Sequence, residues 1–264
     1  AKKITWGKTL NAGQTCIAPD YIFCPKSKVD EFANLVAEQV KQMFGETFEK
    51  RKASPDFVHI IDTAACTRHK ALVEDALSKD AVSVLDQDTG NTEGLDENSV
   101  DQFDVENRYS PITILKGVTT DMSIMESEIF GPLMPILAYE NLDEVTNYIQ
   151  SNPKPLALYV FGSEESEIKK VLSETTSGSA CVNNLIIQIE NLSLPFGGVG
   201  MSGTGNYHGI YGFKTFSHER NVMMQGKFDV LPYFYAPFHY SEGTKNLRLK
   251  IQKLAEKALR LIKR

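Results

Sequence analysis

Apolar and amphipathic segments alternate between Pro111 and Asn183, and this alternation restricts the fold more than any other feature of the sequence. The pattern predicts strands at 111–116, 132–139, 156–162 and 179–183, with helices at 143–151 and 164–176. Apolar strands separated by helices of about ten or more residues pair in parallel, and helices cover both faces of their sheet. We therefore predict an α/β fold with a largely parallel sheet flanked by helices.

The N-terminal part of the chain continues this pattern less regularly. It predicts a strand at 21–24, a helix that starts near Ser27 and ends at Gly45, a helix at 63–77 and a strand at 81–85. An acidic segment follows, with eight Asp or Glu and no Lys or Arg between residues 86 and 107. Asp86, Asp88 and Glu97 match a calcium loop, but Gly stands at the fifth position and not at the sixth. We predict a solvated surface segment.

Composition excludes several classes of protein. With 264 residues, 42% of them hydrophobic, the chain is long enough for a substantial core. Its four cysteines lack paired metal-ligand spacing and are too few for a disulfide scaffold. They indicate free thiols in a reducing compartment, so we predict a cytoplasmic location. No apolar run reaches the roughly 18 residues of a membrane span, and we expect neither a metal nor a nucleic acid partner.

The first candidate site is Cys16, which ends the turn-prone segment 11–15 between a helix-like start and a strand. Catalytic side chains often lie at such junctions. The nucleophilic form of cysteine is the thiolate, so its ordinary pKa of about 8.5 must fall towards 7. No basic residue lies close in sequence, and a buried, inert thiol is the alternative interpretation.

Two further segments carry candidate residues. In 126–132, two carboxylates stand two positions apart before a Gly-Pro turn; they would face opposite sides of an extended chain, but one could bind a ribose diol. In 195–203, Gly198, Gly200 and Gly203 match the dinucleotide-binding fingerprint. That fingerprint requires a preceding strand and an acidic residue about 20 positions later, which are not found here. We predict a tight, close-packed loop instead.

Taken in order, G-Q-T-C at 13–16, E-I-F-G-P at 128–132 and P-F-G-G-V-G at 195–200 resemble the aldehyde dehydrogenase family. N-A-G-Q-T-C-I-A-P-D-Y at 11–21, with Y-H-G at 207–209 and F-S-H at 216–218, is similar to the class that contains the fatty aldehyde dehydrogenases. The resemblance covers the C-terminal half of such an enzyme. The E-L-G-G-type motif with the family's general-base glutamate is missing, so the chain alone is expected to be inactive.

The resemblance implies a role for each matching residue. Cys16 would attack the aldehyde carbon, Glu128 would bind the nicotinamide ribose of NAD or NADP, and Phe130 would pack beside the nicotinamide. The implied reaction is oxidation of a medium- or long-chain fatty aldehyde to the acid, through a thiohemiacetal and a thioester. Other matching residues would support the catalytic loop or line the substrate side: Asn11, Asn183, Phe196, Gly197 and His208.

Three regions are predicted along the chain. Residues 1–205 would form the catalytic domain, and 206–240 a returning segment with an oligomerisation strand near 215–224. From Ser241 onward, eight Lys or Arg and two Glu give a net charge of +6, against −12 for the rest. Apolar residues recur there at near-helical spacing, which predicts a basic amphipathic helix at 241–264. This helix would pack on its own or a partner subunit of a homodimer, or bind an organelle membrane surface through 244–264.

Two other functions stay open at this point. A cysteine hydrolase or acyl-transfer enzyme could use Cys16 with a histidine such as His208, without a nicotinamide cofactor. A non-catalytic remnant could retain the fold as a surface for dimerisation or membrane docking.

Overall fold

The structure, a computed structural model, describes residues 1–85, 97–227, 229, 231, 235–236 and 242–262. The chain divides into two compact units, Ala1–Ser217 and His218–Arg264. The first half of the acidic segment, residues 86–96 with Asp86 and Asp88, lies outside the described residues. The three predicted regions 1–205, 206–240 and 241–264 remain predictions.

The strands of the first unit pair mainly in parallel. They are β1 Ile22–Pro25, β2 Val82–Ser83, β3 Thr113–Lys116, β4 Leu133–Tyr139, β5 Ala157–Val160 and β6 Ser179–Val182. One sheet has the order β1-β4-β3-β2, in which β1–β4 and β3–β4 are parallel and β2–β3 is antiparallel. A second sheet pairs β5 with β6 in parallel. This arrangement confirms the predicted α/β class, although the strands form two sheets.

The helices follow the predicted pattern closely, with one error at a helix start. The helix predicted near Ser27 begins at Val29, after a 3₁₀ turn at 26–28, and its N-cap Lys28 makes no side-chain capping bond. Gly45 ends it at φ 125°, as predicted. The bounds are α1 Lys2–Thr9, α2 Val29–Phe44, α3 Phe48–Lys52, α4 Thr63–Ser78, α5 Glu97–Asp101, α6 Leu142–Ser151, α7 Glu165–Glu174, α8 Gly209–Thr215 and α9 Glu242–Ile262.

Strand β4 is buried on both faces. Its successive side chains point to opposite sides of the sheet, and each side packs into a different apolar cluster. Met134 and Ile136 join a cluster that includes Val36 of α2. Leu133 and Leu137 join a second cluster against α4, which contributes Val73, Leu72, Cys66 and Ala76. Each such buried aliphatic side chain contributes about 1.5–3 kcal/mol. Helices therefore cover both faces of this sheet, as parallel strands require.

A third apolar cluster lies under the segment that carries Cys16. It unites Ile4 of α1 and Ile17 with residues far along the chain: Leu185, Ile186 and Phe196. Ile17 is 2% exposed and Leu185 is fully buried. The residue after Cys16 is thus anchored in a core, which holds the cysteine at the surface of that core.

The predicted strand at 215–224 is not formed in the single chain. Thr215 ends α8, and residues 216–226 lie outside helix and strand. A strand needs a neighbouring strand for its backbone hydrogen bonds, and none of the described strands pairs with 215–224. The predicted C-terminal helix is confirmed as α9. No helix among the described residues is long and apolar enough to cross a membrane.

Candidate active site

The segment 10–17, here called the cysteine loop, has an unusual backbone. Asn11 and Ala12 both have φ 52°, and Gly13 has φ 75°. Left-handed conformations cost an ordinary L-residue about 1–2 kcal/mol, so Ala12 is strained while Asn11 and Gly13 fit more easily. Such strain persists only where surrounding contacts impose it, and it concentrates at functional sites.

Gln14 supplies those contacts through its side-chain amide. Its Nε2 donates to the carbonyl oxygens of Asn11 at 3.0 Å and His59 at 3.2 Å, and its Oε1 accepts from the amide of Ile61 at 2.8 Å. Asn11 closes the turn by donating from Nδ2 to the carbonyl of Gln14 at 2.9 Å. The cysteine loop is therefore tied to the segment that precedes α4.

Cys16 is exposed and lines a cavity of about 790 Å³ in the first unit. The wall beside it is held by Tyr159, whose hydroxyl donates to the carbonyl of Ile17 at 2.6 Å. The same hydroxyl accepts from the amide of Ile186 at 3.3 Å and from Nε2 of Gln188 at 3.1 Å. Much of the remaining lining is aromatic or aliphatic, including Tyr21, Phe23, Phe32, Leu142, Tyr148 and Leu156.

Residues 126–132, here called the carboxylate turn, expose the two side chains predicted to bind a cofactor. Glu128 is exposed, Phe130 is 40% exposed at φ 49°, and Ile129 between them is fully buried. The amide of Ile129 donates to Oδ1 of Asp20 at 3.0 Å, and its carbonyl accepts from Nε2 of His69 at 3.0 Å. Arg68 donates to the same carbonyl. Ile129 is thus the anchor from which Glu128 and Phe130 project.

The cysteine loop and the carboxylate turn are in direct backbone contact, although they are far apart in sequence. A Cβ atom on Gly13 would overlap the carbonyl oxygen of Gly131, and one on Gly131 would overlap the ring of His69. Only glycine permits these approaches. Cys16 and Glu128 also line the same cavity. The structure therefore brings together two of the sites that the sequence analysis singled out.

A buried charge cluster lies between these two segments. Lys8 of α1 is 1% exposed, and its Nζ lies 3.8 Å from Oδ1 of Asp20. Burial lowers the pKa of Lys8 to about 8, although Asp20 and Glu128 oppose the shift. Burial raises the pKa of Asp20, and partial desolvation together with the Asp20 carboxylate raises the pKa of Glu128. Burial and the neighbouring Arg68 lower the pKa of His69 to about 4, which keeps its ring neutral.

Sequence reasoning did not find this cluster. Lys8, Asp20, Arg68 and His69 belong to no motif with a mechanism, and they meet only through the fold. One signal was present: Lys8 stands four positions after the buried Ile4, on the same face of α1. A lysine on the buried face of a helix indicates a specific partner.

Asn183 joins the ends of the two strands of the second sheet. Its Oδ1 accepts from the amide of Gly162 at 2.9 Å, and its Nδ2 donates to the carbonyl of Gly162 at 2.8 Å. Its own carbonyl accepts from Nζ of Lys3 at 2.7 Å. The contacts are those of a supporting residue, and the role predicted for Asn183 stays a proposal.

The segment 195–208 packs as a close loop. Phe196 is buried, pairs with Tyr207 through two backbone hydrogen bonds of 3.0 and 2.9 Å, and stacks on the ring of His208. A Cβ on Gly197 would overlap the carbonyl of Gly205, and one on Gly198 would overlap the backbone of Ser202. The predicted close-packed loop is confirmed.

The histidine required by the hydrolase alternative is engaged elsewhere. His208 stacks on Phe196, and its Nδ1 lies 3.3 Å from the carbonyl oxygen of Leu194. Within the part of the chain that the structure describes, no histidine hydrogen-bonds to Cys16. In the same part, no three His, Cys, Asp or Glu side chains are grouped so that they could hold a metal ion.

Comparisons with known proteins agree with this geometry. Residues 1–222 match the sequence profile of the aldehyde dehydrogenase family. The putative aldehyde dehydrogenase AldX of Bacillus subtilis (strain 168) is 43% identical over 225 residues, which are 85% of this chain and 47% of the relative. Aldehyde dehydrogenase family 3 member A2 of Rattus norvegicus is 42% identical over 225 residues, 85% of this chain and 42% of the relative.

A comparison with solved structures agrees with these sequence matches. The substrate-bound state of Staphylococcus aureus AldH superimposes with a TM-score of 0.77 at 33% identity, covering 95% of this chain and 50% of that one. The chain thus spans about half the length of the relatives it matches. The resemblance found from the motifs is confirmed, for the family and for the class that contains the fatty aldehyde dehydrogenases. The chain belongs to the aldehyde dehydrogenase family.

Proposed function

We propose that this chain carries the catalytic cysteine of an NAD(P)-dependent aldehyde dehydrogenase. The observation that supports the proposal most is the contact between the cysteine loop and the carboxylate turn. It sets an exposed thiol and an exposed carboxylate on one cavity, in a chain that belongs to this family. Because the chain spans about half the length of its relatives, its activity alone is expected to be nil.

The chemistry begins at the Cys16 sulfur. The thiolate attacks the aldehyde carbon and forms a thiohemiacetal, whose oxyanion the backbone amide of Cys16 helps to hold. Bound NAD or NADP would accept the hydride that leaves this carbon. The product on the chain is a thioester at Cys16, and water then releases the carboxylic acid and restores the thiol.

The residues of the carboxylate turn fit the nicotinamide end of such a cofactor. An ionised carboxylate can accept two hydrogen bonds from a ribose diol, and Glu128 is exposed for this. Phe130 offers a partly exposed aromatic face to a flat ring. We propose Glu128 and Phe130 as the residues that would hold this group, with Asn11, Asn183, Phe196, Gly197 and His208 as supporting residues.

We propose a medium- or long-chain fatty aldehyde as the substrate. The cavity beside Cys16 has a volume of about 790 Å³ and many aromatic and aliphatic lining residues. Apolar walls favour an alkyl chain, and each buried methylene contributes about 0.8 kcal/mol. The relationship to the class with fatty aldehyde dehydrogenases supports the same choice.

We propose a homodimer that forms through residues 215–224. Phe216, Met223 and Met224 are 89%, 92% and 86% exposed, which is unusual for large apolar side chains. Sedimentation at micromolar concentration tests this: a dimer is expected for the wild type and a monomer for Phe216→Asp. A monomeric wild type would refute it.

We also propose that α9 contacts a membrane surface through residues 244–264. The segment from Ser241 carries a net charge of +6, and each basic residue near an anionic surface contributes about 1 kcal/mol. Flotation with vesicles that contain phosphatidylserine tests this. Binding to these vesicles and not to neutral ones supports the proposal, while equal recovery with both contradicts it.

The enzymatic proposal is tested by turnover of the full-length gene product. Hexanal, dodecanal and hexadecanal are offered with NAD and with NADP, and cofactor reduction is followed by absorbance. Reduction by the wild type that is lost in Cys16→Ser supports the proposal. If neither cofactor is reduced while Cys16 can still be alkylated, the hydrolase and docking-surface alternatives take its place.

A further inference from the structure

Lys8 has no part in the chemistry described so far, yet its position is unusual. Its side chain is 1% exposed, and its Nζ makes no hydrogen bond within the described ranges. A buried ammonium group that makes no hydrogen bond is unfavourable even beside a carboxylate, and an apolar side chain of similar length would avoid that cost. The presence of an amine here therefore calls for a specific explanation.

The groups around Lys8 supply one. Asp20 Oδ1 lies 3.8 Å away, and Glu128 also attracts the ammonium group. The other ionisable neighbours belong to α4: Arg68 is a second cation of the cluster, and His69 is neutral. The cluster thus contains two carboxylates from different segments, Asp20 and Glu128. Of its two cations, Lys8 is the more buried.

Asp20 connects Lys8 to the carboxylate turn. Its Oδ1 accepts the hydrogen bond from the amide of Ile129, the buried residue between Glu128 and Phe130. The bond is strongest when Asp20 is ionised. A cation beside Asp20 therefore holds the turn in place through one intermediate residue.

We propose that Lys8 is a positioning residue for cofactor binding. Its buried ammonium group keeps the carboxylates of Asp20 and Glu128 ionised, and Asp20 in turn holds the carboxylate turn in place through the amide of Ile129. The inference rests on the proposed function, because it concerns how Glu128 and Phe130 meet the nicotinamide end.

The loss of the Lys8 charge has a defined consequence. Asp20 and Glu128 would then repel each other with only Arg68 to compensate, so the bond to Ile129 would weaken and Glu128 would be displaced. Since burial lowers the pKa of Lys8 from 10.5 to about 8, the charge is present below pH 8 and is lost above it. Cofactor affinity should fall as the pH rises through 8.

The test measures cofactor dissociation constants by fluorescence, at pH 7 and pH 9, in the full-length gene product. For the wild type we expect the constant to rise about tenfold between the two pH values, as the loss of one charge-assisted contact implies. Lys8→Met should show the higher constant at both. Lys2→Met, an exposed lysine on the same helix, should behave as the wild type.

The outcomes separate this inference from the proposed function. If the wild type binds neither NAD nor NADP, the proposed function fails and the inference falls with it. If the wild type binds a cofactor but Lys8→Met has the same constants and the same pH dependence, the inference alone is overturned. Should Lys8→Met fail to fold, the wild-type profile decides, since equal affinity at pH 7 and pH 9 contradicts the role assigned to Lys8.

Discussion

The carbonyl oxygen of Gly131 occupies the space that a Cβ atom on Gly13 would need. The loop with Cys16 and the turn with Glu128 therefore meet backbone to backbone, at a point where a side chain cannot be accommodated. The geometry of the proposed active site depends on this contact.

Gly13→Ala should damage the site more than an ordinary glycine substitution. The new Cβ would overlap Gly131, and φ 75° is unfavourable for alanine. We expect a loss of at least about 1–3 kcal/mol in the free energy of unfolding and a large fall in turnover. Denaturant unfolding measures the former. Gly162→Ala is the control, because nothing lies within 4 Å of its Cβ position; equal effects of both variants would contradict the importance of the contact.

Gln14→Ala should loosen the cysteine loop. The substitution removes three hydrogen bonds, each worth about 1 kcal/mol, and leaves the amide of Ile61 without this acceptor. We expect lower stability, lower turnover and a changed rate of Cys16 alkylation by iodoacetamide. Gln42→Ala, on the exposed side of α2, is the matched control. An alkylation rate equal to that of the wild type would show that Gln14 does not position the loop.

Tyr159→Phe should destabilise the wall beside Cys16. Its hydroxyl donates to Ile17 and accepts from Ile186 and Gln188, so its removal leaves polar groups unsatisfied, at a cost of about 1–3 kcal/mol. Thermal unfolding should show a lower midpoint, and turnover should fall. Tyr207→Phe removes a hydroxyl from a half-exposed ring and should change little. Equal unfolding midpoints for both variants would show that the Tyr159 hydroxyl does not stabilise this wall.

His69 should make stability depend on pH. Its pKa is lowered from 6.5 to about 4 in the folded chain, so the unfolded chain binds the proton more readily between these values. The contribution of His69 to the free energy of unfolding, about 3 kcal/mol, is fully present above pH 6.5 and is lost as the pH falls towards 4. Denaturant unfolding between pH 7 and pH 4 should show a steeper loss in the wild type than in His69→Gln. The exposed His218→Gln should follow the wild type, and parallel curves for all three would refute the assignment.

Local patterns were enough to predict the elements that depend on neighbours in sequence. The helices α4, α6 and α7 and the strands β3 to β6 follow periodicity that the sequence shows directly. Cys16 and Glu128 could be selected because their motifs are contiguous. The resemblance, and not the spacing, supplied their roles.

Other features depend on contacts between distant segments, and the local pattern indicates only that Lys8 lies on the same face of α1 as the buried Ile4. Lys8, Asp20 and His69 come from separate elements and meet only in the folded chain. The 3₁₀ turn before α2 replaced the expected Ser27 cap. The strand predicted at 215–224 is not formed, and none of the described strands pairs with this segment to take up its backbone hydrogen bonds.

The most direct test of the central claim is to trap the covalent intermediate. The full-length gene product is mixed with dodecanal and NAD or NADP, quenched in acid and digested, and its cysteine peptides are weighed by mass spectrometry. We predict a dodecanoyl adduct on the Cys16 peptide and none on the peptides of Cys24, Cys66 and Cys181. Cofactor reduction without an adduct at Cys16, or with one at another cysteine, would contradict the assignment of Cys16 as the nucleophile.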